Sequence, residues 1–212
     1  MGIRGHGVRG WLVLVAMISL SACAVADERA LVESMQVKAE EAYFEAGAPP
    51  LGDLLAAPAI GIVGTVTGVD PGVGVWRDPA PDGDGAPYIV DIQDSDAHAT
   101  TSHLVVKVDR LVFGPGPGEG DIVTAGVMVE GAMPTEVGAL FEGARLFMVL
   151  GPAGEGLWEY QPDVRGIALD GTFIARTGSD GELDFFAFSD EIVTGLGLDG
   201  LTASAIGDLA DR

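Results

Sequence analysis

Downstream of Trp76 the chain strings together Asp78, Asp82, Asp84, Asp91, Asp94 and Asp96, followed by His98 and His103. Carboxylates on a glycine-rich loop are what a hard cation takes, several oxygens at about 2.3–2.6 Å. Asp82-Gly83-Asp84-Gly85 has the backbone freedom to converge on one ion, so Asp78, Asp82, Asp84, Asp94 and Asp96 form a candidate calcium set. The run lacks the spacing and terminal glutamate of the EF-hand loop. In a chain acidic throughout, the same residues read first as solvated carboxylates. Asp96, His98 and His103 offer two imidazoles and a carboxylate, a transition-metal set. A five-residue offset along one continuous strand would turn the two rings to opposite faces, which leaves them as surface histidines. Trp76, Trp158 and Tyr160 are the aromatic candidates, a platform for a ligand such as a glycan or, more simply, core or rim packing.

Catalytic spacings are missing. The sequence has no G-x-S-x-G, no H-E-x-x-H and no phosphate-binding glycine loop. Its many carboxylates leave a paired-acid glycosidase open, but no spacing selects a pair. The residues therefore point to a non-catalytic protein without a cofactor, calcium being the one candidate, with an unrecognised hydrolase as the alternative.

The only cysteine, Cys23, follows an apolar run of ten residues, Trp11 to Leu20, which Arg4 and Arg9 precede. Ten residues are too few to cross a bilayer, which takes about 20 as a helix. They fit the basic and apolar regions of an export signal. Leu20-Ser21-Ala22-Cys23 resembles the lipobox of bacterial lipoproteins. That resemblance implies a diacylglycerol on the Cys23 sulfur, cleavage before it and acylation of the new terminus, several chains being what stable anchoring needs. The alternative is an ordinary secretory signal cut near Ala24 or Ala26.

Losing residues 1–22 removes two arginines and no acid, which leaves nine basic residues against 32 acidic ones, a formal charge of −23. Such a surface repels nucleic acid and anionic head groups, and the partners expected are a membrane through the anchor and an envelope protein or glycan. With 48% hydrophobic and 20% charged residues the remainder is a folded chain, not a disordered acidic one.

The elements that must position these residues are mostly strands. Residues 23–50 read as the lipidated cysteine and a flexible tether, with a weak helical stripe at Leu31, Met35, Ala42 and Tyr43. Leu51–Ala57 reads as a helical turn stopped by Pro58. Ile60–Thr67 alternates as a strand with a bend at Gly64, and residues 70–86 carry turn chemistry. Tyr88–Ile92 reads as a short strand or an ordered loop. Ser102–Phe113 is the strongest, its apolar phase slipping at Asp109-Arg110 as a β-bulge requires. Val123–Val129, Arg145–Leu150, Leu157–Tyr160, Ile167–Arg176 and Leu183–Phe188 follow, the last two joined by a hairpin turn at 177–181. Arg145–Leu150 is apolar on both faces and so central. Leu198, Leu201, Ala205 and Leu209 mark a short C-terminal helix capped by Asp199 or Thr202.

IGIVGTVTGV, then TTSHLVVKVDRLVFGPGPGEGDIVTAGVMVEG, then FEGARLFMVL is similar to a group of uncharacterised bacterial exported domains. These are related to the oligonucleotide/oligosaccharide-binding (OB) barrel in the form shared with tissue inhibitors of metalloproteinases. The resemblance spans about residues 52–190 and implies a five-stranded OB-like Greek-key barrel, all-β with minor α, carrying an extra hairpin and the C-terminal helix. It does not carry over the inhibitors' zinc-chelating terminal cysteine. Cys23 is expected to be lipidated, lies far from the first strand and has no disulfide partner. The organisation expected is a signal over 1–22, a lipidated tether over 23–50 and a barrel domain over 51–212. Its role is that of a membrane-anchored binding module on the extracytoplasmic face.

Overall fold

A computed structural model describes residues 28–56, 59–76, 88–94, 97, 99–130, 134–155, 158–159 and 161–211. In chain order the elements are α1 (28–45), α2 (Leu51–Ala56), β1 (Ile60–Trp76), β2 (Tyr88–Val90), β3 (Ala99–Phe113) and β4 (Ile122–Glu130). Then come α3 (Pro134–Phe141), β5 (Arg145–Ala153), β6 (Val164–Ile167), α4 (Ala168–Gly171), β7 (Ile174–Thr177), β8 (Leu183–Asp184), α5 (Asp190–Leu196) and α6 (Ala203–Ala210).

Five strands close on themselves. β1 pairs antiparallel with β3 on one side and β5 on the other, β3 pairs with β4, β4 runs parallel to β6, and β6 returns to β5. The ring β1-β3-β4-β6-β5 is the expected all-β barrel, with the short helices as minor α. Alternation fills it: Leu104, Val106 and Val108 of β3 are at most 1% exposed while Val105 and Lys107 between them face outward. β5 is buried from Leu146 to Leu150 because strands flank both its edges and packing covers both its faces. The predicted bulge is present, with Val63 opposite Arg110 and Gly64 opposite Val108, so that Asp109 has no partner in the ladder. At Gly64 an added Cβ would lie 2.6 Å from Val106 Cγ1 and 2.7 Å from the Lys107 carbonyl oxygen, a close approach that only glycine allows. The β7–β8 hairpin forms as read, Arg176 facing Asp184. Thr202 is the cap of α6, its hydroxyl accepting from the Ala205 N–H at 3.3 Å.

Five readings are corrected. Residues 28–45, expected within a flexible tether, are helical, and Leu31, Met35, Ala39 and Tyr43 join the hydrophobic core. Ala39 completes the i, i+4 stripe that makes burial of one helix face favourable. β1 continues through residues 70–76, expected as loop, because Thr101 satisfies the bulge at Pro71–Gly74. Its Oγ1 accepts from the Val73 N–H (2.7 Å) and donates to the Val73 carbonyl (3.1 Å). The expected strand Ile167–Arg176 is split by α4, where Leu169 and Gly171 take left-handed backbone. Within Leu157–Tyr160, Trp158 and Glu159 form a turn, and extension after Leu183 ends at Asp184. Helices α3 and α5 had no counterpart in the sequence reading.

Candidate ligand face

Facing outward on β3, His103 lies opposite Asp70 of β1 and Gly126 of β4, and Gly126 lies opposite Gly166 of β6. Opposed residues share a face of the sheet, so Asp70, His103, Gly126 and Gly166 form one row across four strands. The two glycines leave bare backbone, and the indole of Trp158, from the β5–β6 connection, lies on it. A Cβ on Gly126 would be 2.4 Å from the ring's Cη2, and one on Gly166 would be 2.5 Å from Nε1. Trp158 is 8% exposed, yet it stands apart from the main core; its seat is this shelf.

The shelf has a polar end. His103 meets the indole edge-on, ring centroids 5.9 Å apart at 62°, and its Nε2 donates to Gln161 Oε1 at 2.8 Å. That hydrogen bond fixes the ring's orientation and ties the β5–β6 connection down beside Trp158. Asp70 is exposed at the head of the row, while His103 and Gln161 are half-buried. Chemically this is an edge where a hydrogen-bonding ligand finds an imidazole, an amide and a carboxylate beside a packed indole.

The sequence candidates fare unequally. Trp158 and His103 are brought together; Gln161, Asp70 and the two glycines were missed. A lone glycine inside a strand (TAGVM in β4, VRGI in β6) is the signal of close approach that marks the shelf. Trp158 is a packed cover, so it is no freely presented platform. Trp76 ends β1, its backbone opposite Tyr88 of β2. Asp94 is exposed in a turn where its N–H donates to the Asp91 carbonyl (2.9 Å) and Asp91 Oδ1 accepts from the Gln93 N–H (2.9 Å). Cys23, Asp78, Asp82, Asp84, Asp96, His98 and Tyr160 lie outside the described residues. Among the described residues no three His, Cys, Asp or Glu side chains are grouped to hold a metal, and no helix is long and apolar enough to cross a membrane.

No family model, curated protein or solved structure matches the chain.

Proposed function

We propose that this chain is a lipoprotein, anchored through Cys23 on the outer side of a bacterial membrane, whose barrel binds an envelope protein or glycan without catalysis. The observation that supports it most is the row Asp70, His103, Gly126 and Gly166 with Trp158 seated on it. OB barrels take ligands on the face of their second and third strands, flanked by the first–second and fourth–fifth connections. By that likeness the two strands would be β3 and β4. A formal charge of −23 on the processed chain directs the choice toward neutral or cationic surfaces.

Two measurements test this. Mass spectrometry of the mature N-terminus should find a diacylated Cys23, and an unmodified terminus beyond it refutes the anchor. Native protein should retain an envelope component that His103→Ala releases; if neither envelope fractions nor purified cell-wall glycan bind, the ligand face is refuted.

A further inference from the structure

The described part of α1 opens at Glu28, five residues after Cys23, and is docked from there. Glu28 Oε1 accepts from Arg176 Nη2 at 2.9 Å, Leu31 and Met35 are buried, and Gln36 Nε2 donates to the Phe186 carbonyl at 3.0 Å. Whatever holds Cys23 therefore holds the barrel. Five peptide steps span at most about 18 Å, whereas a free tether over residues 23–50 would reach about 90 Å.

Charge does not single out the start of the same helix. At its start the acids are matched: Arg29 Nε donates to Glu33 Oε1 at 2.8 Å, and Glu28 is matched by Arg176. Its second half carries Glu40, Glu41 and Glu45 against Lys38. With Asp27 before it and Asp180 and Glu182 in the β7–β8 turn beside it, the end nearest the anchor is acidic like the rest of the chain, so reach and not charge decides which side faces the bilayer.

We infer, resting on the lipid anchor proposed above, that the barrel is held against the bilayer, with the start of α1 and the neighbouring β7–β8 turn toward the head groups. The partner surface is the lipid bilayer that holds the anchor, and the docked helix acts as a rigid standoff in place of a tether. Any ligand of the β3–β4 face then has to be reached within a barrel's width of the membrane.

The test is neutron reflectometry on the full lipidated protein in a supported bilayer of phosphatidylethanolamine and phosphatidylglycerol. Protein density should begin within about 18 Å of the head groups. Inserting about twelve Gly-Ser residues between Asp27 and Glu28 should move it outward by roughly 20 Å. A fluorophore on Ser179→Cys, in the β7–β8 turn, should be quenched by head-group quenchers more than one on Glu45→Cys. A wider gap in the wild type, an insertion without effect, or stronger quenching at position 45 each overturns the inference. Mass spectrometry keeps the two failures apart. A Cys23 without lipid refutes the anchor and this inference with it, whereas lipid on Cys23 with a wide gap refutes the standoff alone.

Discussion

Gly126→Ala should unseat Trp158. The added methyl carbon would stand 2.4, 2.5 and 2.7 Å from Cη2, Cζ2 and Cε2 of the indole, atoms of a rigid ring with no flexible end to swing aside. If the ring tilts and the β5–β6 connection follows, the cost is that of overpacking, about 1–3 kcal/mol. If the ring leaves altogether, the loss approaches that of truncating it, about 3–5 kcal/mol. Contact with His103 should go in either case, and tryptophan fluorescence should shift toward that of a solvated indole. Urea unfolding of the wild type, Gly126→Ala, Trp158→Ala and the double variant closes a cycle. With the indole gone the methyl meets nothing of it, and alanine in a strand is favoured over glycine by about 0.5–1 kcal/mol. Gly126→Ala should therefore turn from harmful to neutral or helpful in the Trp158→Ala background, a coupling of about 1–3 kcal/mol. Additive losses, or a Gly126→Ala protein as stable as wild type with unchanged fluorescence, refute the shelf.

Other substitutions read other parts of the frame. The Ser102 hydroxyl is buried with no partner among the described residues, so Ser102→Ala should hold or raise stability by about 1 kcal/mol, and a clear loss in urea unfolding would show a partner. Thr101→Val, next to it, leaves the Val73 amide and carbonyl at the β1 bulge without their partner and should cost about 1–3 kcal/mol by the same assay. The Arg145–Asp109 pair at the β3 bulge is half-exposed, so Arg145→Ala should cost under about 1 kcal/mol, less still in high salt. Thr202→Ala removes the α6 cap and should cost about 1 kcal/mol, read as a lower melting temperature.

What the chain disclosed in advance was whatever a local pattern encodes. The slip of apolar phase at Asp109 gave the bulge, Thr202 gave the cap, and the double-faced run Leu146–Leu150 gave a strand enclosed on both sides. What stayed hidden needed a distant partner. Pro71 and Gly72 read as turn until Thr101, thirty residues on, supplies the hydrogen bonds that keep them in β1. The stripe of α1 reads as weak because Lys38 interrupts it and the groups that hold the helix, Arg176 and the Phe186 carbonyl, are remote in sequence. Within the ligand face, Trp158 and His103 were visible as residue types. Their meeting was not, because nothing local says that two glycines on different strands lie side by side.

Synthesis delivers α1 first, yet the groups that receive it arrive last: Gln36 waits for Phe186, 150 positions downstream, and Glu28 for Arg176, 148 downstream. Until then the nascent chain carries a greasy helix with nowhere to settle, the kind of exposed surface that chaperones and proteases recognise. Seating of the first helix is thus a receipt for delivery of the last quarter of the polypeptide. A product broken off before β8 should be degraded, even though all five strands of its barrel are already present.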